Sequence, residues 1–284
     1  MSNNQLSSRR DMLKTASVLA VGAASTGMLA VKEAMAAESK APRWAMVIDI
    51  RRCKGCRTCT VACKAEFDTP LGSWRSVVKD VERGEYPNIK NDFIPRLCNH
   101  CKGNDQDMEP PCVKICPEKA SGERVRFKTP TGKKIRYRTG ATYKRPDGMI
   151  LLDNSLCIGC GKCIEACPYG VRSYNKRLVS GKDPKKNGIV KCTFCQHRVD
   201  KGVEPSCVNA CPGKARIFGD LNDPGSEVSK LAEKFDLTDN TVESTLLFEE
   251  GTQPQVYYID PDKSLGAYTI TKENKLAEFR DQIS

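Results

Sequence analysis

Four cysteines at spacings of two, two and three residues, with proline behind the last, stand in Cys157-Ile158-Gly159-Cys160-Gly161-Lys162-Cys163-Ile164-Glu165-Ala166-Cys167-Pro168. That run is a ligand set for a [4Fe–4S] cubane: three thiolates two residues apart curl around one cluster, and the fourth reaches a neighbouring one. One such run implies a partner run, and the chain supplies three more sets: Cys53, Cys56, Cys59, Cys63; then Cys98, Cys101, Cys112, Cys116; then Cys192, Cys195, Cys207, Cys211. All sixteen cysteines fall into four sets of four.

Zinc and disulfides are the alternative uses of so many cysteines. Ten residues separate Cys101 from Cys112 and eleven separate Cys195 from Cys207, and either gap in isolation is compatible with zinc. The compact runs at 53–63 and 157–167 are poor zinc ribbons and good cubane cradles. His100 lies inside the second set and His197 just after Cys195. Histidine can replace cysteine at iron, but sixteen cysteines leave no vacancy, so both are expected to hydrogen-bond or to contact a partner.

The loops need elements to hold them. Short apolar stretches precede each set: Arg43-Trp44-Ala45-Met46-Val47-Ile48-Asp49-Ile50, Asp92-Phe93-Ile94-Pro95-Arg96-Leu97, Gly148-Met149-Ile150-Leu151-Leu152 and Gly188-Ile189-Val190. Strand, cysteine loop and short helix thus recur four times, which predicts an α+β chain built from two ferredoxin-like modules. Gly55 and Gly159 let the backbone turn closely around sulfur. Pro117, Pro168 and Pro212 each follow a fourth cysteine, whereas Lys64 follows Cys63, so that helix is expected to continue through Ala65-Glu66-Phe67. Arg51, Arg52, Lys54 and Arg57 are expected to crowd the first cluster and raise its potential.

Composition agrees with a core held by inorganic cross-links. The chain has 284 residues, of which 39% are apolar and 6% aromatic, and a formal charge of +11. Residues 1–36 hold four Lys/Arg and two Asp/Glu, leaving 42 cations against 33 carboxylates, or +9. Each thiolate-bound cubane carries about −2, so four nearly cancel that charge and no nucleic-acid partner is expected. The first residues, with Ser7-Ser8-Arg9-Arg10-Asp11-Met12-Leu13-Lys14, a weakly apolar run at 15–31 and Ala34-Met35-Ala36, read as a twin-arginine export signal with an A-x-A cleavage site. No segment approaches 18 apolar residues, so no transmembrane span is expected. A periplasmic location follows from that reading. Export of a folded, cluster-loaded chain overrides the usual link between exported cysteines and disulfides.

Two further regions stand apart. Between Cys116 and Cys157, Arg124-Val125-Arg126-Phe127-Lys128-Thr129-Pro130-Thr131-Gly132-Lys133-Lys134-Ile135-Arg136-Tyr137-Arg138 alternates in period two about a turn, predicting a hairpin with Val125, Phe127, Ile135 and Tyr137 on one face. Its cations form either a solvated face or a docking surface for an acidic partner. Beyond Cys211, a strand at 215–218, a helix capped near Asp223-Pro224 with Val228, Leu231, Ala232 and Phe235 on one face, a strand at 255–259 and a last helix with Leu276, Phe279 and Ile283 are expected.

These motifs resemble the four-cluster electron-transfer subunits of the molybdopterin oxidoreductases, and among them those of tetrathionate reductases. The match rests on Ala45-Met46-Val47-Ile48-Asp49 leading to Cys53, Pro95-Arg96-Leu97-Cys98-Asn99-His100-Cys101, Pro110-Pro111-Cys112-Val113, residues 157–169, Lys191-Cys192-Thr193-Phe194-Cys195 and residues 215–221. The resemblance implies an interlocked fold: an outer module at 37–64 with 188–220, an inner module at 65–187 carrying a hairpin insertion at 121–140, and a C-terminal extension at 221–284. It also implies which sets exchange their fourth cysteine. Cluster one takes Cys53, Cys56, Cys59 and Cys211; cluster two Cys192, Cys195, Cys207 and Cys63; cluster three Cys98, Cys101, Cys112 and Cys167; cluster four Cys157, Cys160, Cys163 and Cys116.

By the same resemblance the chain is noncatalytic and relays electrons between a quinol-oxidising membrane anchor subunit and a molybdopterin catalytic subunit. A sulfur compound such as tetrathionate is the implied substrate, with arsenate, selenate or another oxyanion as alternatives. The longer 102–111 loop and the basic hairpin depart from the family pattern. A stand-alone periplasmic electron carrier is the rival reading.

Overall fold

The computed structural model describes residues 41–83, 85–104, 106–239 and 243–260; the export signal and the last helix expected around Phe279 lie outside them. Among these residues the order is β1 (Trp44–Asp49), a 3-10 turn (Ile50–Arg52), α1 (Thr58–Glu66), β2 (Ser76–Arg83), β3 (Lys90–Leu97) and α2 (Pro111–Lys114). Then come β4 (Arg124–Lys128), β5 (Lys134–Arg138), β6 (Thr142–Lys144), β7 (Ile150–Leu152), α3 (Lys162–Glu165), β8 (Ser173–Val179), β9 (Asn187–Val190), α4 (Gln196–Val199) and α5 (Ser206–Asn209). The chain continues with β10 (Arg216–Asp220), α6 (Glu227–Lys234), 3-10 turns at Leu237–Asp239 and Phe248–Glu250, and β11 (Val256–Ile259). The mixed α+β character and the fourfold strand, cysteine loop, helix order are those expected. α1 runs past Cys63, as the missing proline predicts, but ends at Glu66, with Phe67 its C-cap and not its last turn.

β1 is the hub because it is apolar on both faces and pairs on both edges. It runs antiparallel to β10, with Met46 opposite Phe218, and parallel to β11, with Ile48 opposite Tyr258. The period of two sends Met46, Ile48, Val256 and Tyr258 into a core shared with Cys59, Cys192 and Cys207. Ala45, Val47, Ile217 and Tyr257 face the other way, onto Val228 and Ala232 of α6, with Leu231 and Phe235 beside them. The long stretch of chain between β1 and β10 is thus closed by one strand pair, and the cysteine loops lie inside that closure.

α6 begins at Glu227 with Ser226 at its N-cap, not at Asp223-Pro224. The Asp223 side chain accepts from Gly225 N at 2.8 Å, and Ser226 N donates to Asp223 O at 3.0 Å. Asp223 therefore closes a turn one step before the helix, a competing use of the same side chain.

β2 pairs along its whole length with β3, and Val77, Val78, Ile94 and Leu97 are buried. The basic segment forms the expected hairpin, β4 against β5, with Val125 opposite Tyr137 and Phe127 opposite Ile135. Tyr137 stacks on Tyr143 of β6 at 6.2 Å.

One buried ion network ties these parts together. Asp147, in the turn between β6 and β7, is 1% exposed and accepts from Trp44 Nε1 of β1 at 3.1 Å and from Arg145 at 2.6 Å. The same guanidinium bonds Asp200, at the end of α4, at 2.7 Å. Breaking a buried pair from one side leaves an uncompensated charge, so Arg145→Met is expected to destabilise the protein by roughly 3–5 kcal/mol. Thermal unfolding of the loaded protein under nitrogen checks this; an unchanged midpoint would mean that the network contributes nothing to stability.

Candidate metal centres

The first Cys-x-x-Cys pair of each set has to bring two sulfurs to the same side within one tight turn. Its third position carries the strain: Gly55, His100, Gly159 and Phe194 all have positive φ, at 66°, 45°, 63° and 53°. The turn also delivers backbone amides to sulfur, with Gly159 N 3.3 Å from Cys157 Sγ and Phe194 N 3.3 Å from Cys192 Sγ. At Gly55 a Cβ would stand 2.4 Å from the Phe93 ring. Gly55→Ala therefore costs about 1–2 kcal/mol in backbone strain alone and must displace that ring. The expected outcome is a lower melting temperature and poorer iron retention at the Cys53–Cys56 end, read by iron analysis of the anaerobically purified variant.

In two of the four turns the glycine is replaced by an aromatic residue, and those two rings stack on each other. His100 lies on Phe194 at 3.7 Å and 13° between planes. His100 is fully buried and its Nδ1 accepts from Ile150 N at 3.0 Å. Burial, followed by Lys191 and Arg172, holds its pKa well below the ordinary histidine value, so the ring is neutral. His197 is bonded to Glu66 at 2.6 Å and stands edge-on to Phe67. Both histidines therefore hydrogen-bond within the chain.

The folded chain gathers the sulfurs from distant sets. Cys53, Cys56, Cys59 and Cys211 line one cavity of about 70 Å³. Cys116, Cys157, Cys160 and Cys163 line another. Cys63 is pushed up to about 12 by burial and then by the neighbouring Cys207, with Cys195 adding to it. Burial raises Cys101, and the sulfurs of Cys98, Cys112 and Cys167 push the same way. Between groups, Cys207 feels Cys59, Cys192 feels Cys98, and Cys163 feels Cys112. The four gatherings thus form a row. Its ends reach the surface, where Cys56 and Cys160 are exposed, while Cys63, Cys192, Cys195, Cys207 and Cys98 are buried.

Among the described residues no three Cys, His, Asp or Glu groups converge tightly enough for one metal ion. A [4Fe–4S] cubane would be the group that four gathered thiolates hold. Polar atoms around the gatherings fit the same group. Arg216 Nε and Nη1 and Arg75 Nε are buried with no hydrogen-bond partner, and the sulfurs of an iron–sulfur cluster accept such donors.

Sequence reasoning missed these buried cations. Arg172 is 2% exposed and donates to Cys112 Sγ at 3.0 Å. Burial opposes its charge, but Cys112, Cys163, Cys98 and Cys167 outweigh it and raise its pKa. Arg216 is held up in the same way by Cys207 and Cys59 against burial. Lys191, fully buried, is lowered by burial, with Cys98, Cys192 and Cys112 working against that shift. The signal was present: each arginine stands five residues after the cysteine of a Cys-Pro pair, at Cys167-Pro168 and Cys211-Pro212. Of the four cations expected at the first gathering, Arg52, Lys54 and Arg57 line its cavity. Arg51 does not; it turns back to Asp49 at 2.8 Å and lies over the Phe235 ring. Arg216 takes the fourth place in the wall.

Comparison with known proteins gives a consistent set of relatives. Residues 89–221 match the family described as a 4Fe-4S dicluster domain. The chain is 36% identical over 265 residues to a tetrathionate reductase subunit of Salmonella typhimurium, covering 91% of this chain and 90% of the relative. It is also 36% identical over 268 residues to the arsenate respiratory reductase iron-sulfur subunit of a Shewanella species, covering 80% and 99%. A selenate reductase subunit of Mesobacillus selenatarsenatis is 36% identical over 242 residues, covering 76% and 72%.

Proposed function

This chain belongs to the 4Fe-4S dicluster iron–sulfur subunits of DMSO reductase-family complexes, and from that premise we propose a site for each cluster and a place for the chain in its complex. It carries four [4Fe–4S] clusters and is an electron-transfer subunit, not a catalytic one, partnered by a catalytic subunit. Cluster one sits on Cys53, Cys56, Cys59 and Cys211, and cluster two on Cys192, Cys195, Cys207 and Cys63. Cluster three sits on Cys98, Cys101, Cys112 and Cys167, and cluster four on Cys157, Cys160, Cys163 and Cys116. The observation that carries the reading is the row of sulfur gatherings with an exposed thiol at each end and none between, where Cys101 and Cys112 are half-buried and the other thiols buried.

Each cluster, when bound, takes up and releases one electron at a potential set by charge, hydrogen bonds and exposure. The chain's own residues supply the rest. β1, β10 and the loop helices hold the cradles, and the stacked rings of His100 and Phe194 tie the turn of the Cys98 set to that of the Cys192 set. Arg172, Lys191 and Arg216 offset thiolate charge where water is excluded, with half-buried Arg75 adding to them. The outer module, 37–64 with 188–220, holds the first two clusters. The inner module, 65–187, holds the other two.

The catalytic partner reduces tetrathionate or another sulfur compound, and electrons enter from a quinol-oxidising membrane anchor subunit. Tetrathionate is favoured by the relative covering 91% of this chain; the arsenate and selenate relatives keep those oxyanions as the second reading. A periplasmic complex is the reading that the twin-arginine motif at Arg9-Arg10 supports. No helix among the described residues is long and apolar enough to cross a membrane; in this reading the membrane anchor is a partner subunit. Purified native complex supplied with a reduced viologen should turn over on tetrathionate and not on arsenate or selenate. Turnover on arsenate or selenate alone would replace the substrate.

A further inference from the structure

The β4–β5 hairpin carries an arrangement that folding alone does not favour. Register places Arg124 opposite Arg138, Arg126 opposite Arg136 and Lys128 opposite Lys134. Like charges directly opposite one another destabilise a sheet, and here three such pairs stack on one face. All six side chains are exposed, with Lys133 beside them in the turn. None forms an ion pair among the described residues, although Arg145, Lys119 and Lys182 nearby all do. Residues 121–140 hold seven Lys/Arg and one carboxylate, Glu123, a net of +6.

The hairpin is not a free arm. Its other face lies on the body, with Tyr137 against Tyr143 and Phe127 beneath the Arg145 guanidinium. Its base is bonded to the fourth cradle: Ser121 N and Ala141 N both donate to Glu118 O, at 3.4 and 2.8 Å. Glu118, Ala141 and Thr142 line the same cavity as Cys157 and Cys160. A fixed cationic ladder therefore stands beside one of the two open ends of the row.

We propose that this ladder docks a carboxylate-rich face of the protein that exchanges electrons with the Cys160 end. The inference rests on the reading of the chain as an electron relay with two open ends. A protein is favoured over an anionic lipid surface because the ladder shares its base with a cradle that must deliver or receive electrons. The chain's own ends are poor occupants: residues 1–40 carry five Lys/Arg against three Asp/Glu, and residues 261–284 carry four of each. Opposite charges across such a rim chiefly set association rate and salt dependence.

The test uses the native complex, wild type and Arg124→Gln/Arg126→Gln/Arg136→Gln/Arg138→Gln. Zero-length carbodiimide coupling should join Lys128, Lys133 or Lys134 to Asp or Glu of a co-purified redox subunit. The quadruple variant should hold that subunit about tenfold more weakly near physiological salt, with the difference shrinking at high salt. Its iron content should match wild type and its melting temperature should equal or exceed it, since repulsion has been removed. Equal affinity in wild type and variant, or cross-links confined to this chain, would overturn the proposal. So would hairpin-dependent binding to phosphatidylglycerol vesicles with no effect on the protein partner. If wild-type chain lacks iron or the complex does not turn over, the relay reading fails; if only the variant's docking is unchanged, this inference fails alone.

Discussion

Cys207→Ala is expected to lower the iron content from about sixteen per chain to between about twelve and fifteen and to abolish nearly all turnover with the electron donor. Cys207 is 5% exposed, in the stretch of the row that water does not reach. Burial and the sulfur of Cys59 both raise its pKa, while Arg216 lowers it. With the thiol gone, no exposed group is at hand to take the empty corner, so the second cluster is lost or left short of one iron. On the proposed assignment that cluster stands between the first and the third, so its loss interrupts the row in the middle. Cys207→Ser, which puts an oxygen at the same place, should retain more iron and some turnover. Full iron and full turnover in Cys207→Ala would remove this residue from the ligand set.

The second large effect is on potential. Arg172→Met should leave the iron content intact and lower the midpoints of the third and fourth clusters. Reduction adds negative charge, and removing a nearby cation makes that addition less favourable, so the sign is downward. A unit charge at roughly 6 Å in an effective dielectric of about 20 is worth about 3 kcal/mol, which for a one-electron couple is roughly 130 mV. The lost hydrogen bond to Cys112 Sγ, 3.0 Å in the native protein, acts in the same direction. Arg172→Lys keeps the charge and should shift the midpoints far less. Arg216→Met should act in the same way on the first two clusters and spare the inner pair, since its sulfur neighbours are Cys207, Cys59 and Cys192. Redox titration followed by electron paramagnetic resonance checks both, and four unmoved midpoints would contradict the charge-offset role.

Why the cysteines were legible and the cations were not is a matter of what spacing encodes. A cluster ligand must recur at fixed short intervals, so Cys157 to Cys167 announces its chemistry along the chain. The hairpin was legible for a similar reason, because the alternation through Val125, Phe127, Ile135 and Tyr137 is a local signal and the register followed it. β2 was not, since Ser76–Arg83 mixes Lys, Asp, Glu and Arg with its valines and is held as a strand by pairing with β3. Arg172 and Arg216 look like surface residues in sequence, and only folding shows that thiolates surround them. Arg51 erred in the opposite direction: it sits two residues from Cys53, yet Asp49 accepts both its main-chain and side-chain donors and turns it away. The positive φ of His100 and Phe194 was likewise hidden, because the glycine of the other two turns is the usual mark of that conformation.

The same contrast separates the two modules' likeness from their difference. Arginine at the fifth place after Cys167 and after Cys211 serves the inner and outer pairs alike. Among the described residues the hairpin has no counterpart beside the first gathering, where the cavity lined by Cys56 and Cys211 is ringed by Arg52, Lys54, Arg57 and Arg216. Arg57 is also paired with Asp80 at 2.9 Å. The two open ends thus differ in how their positive charge is presented, one as side chains in the cavity wall and one as a ladder beside it.

Anaerobic purification of the native complex, followed by iron, acid-labile sulfide, zinc and molybdenum analysis, tests the four-cluster relay most directly. About sixteen irons and sixteen sulfides are expected for each copy of this chain beyond those on its partners, with molybdenum present and zinc absent. Zinc in place of iron, or a chain without metal, would contradict it.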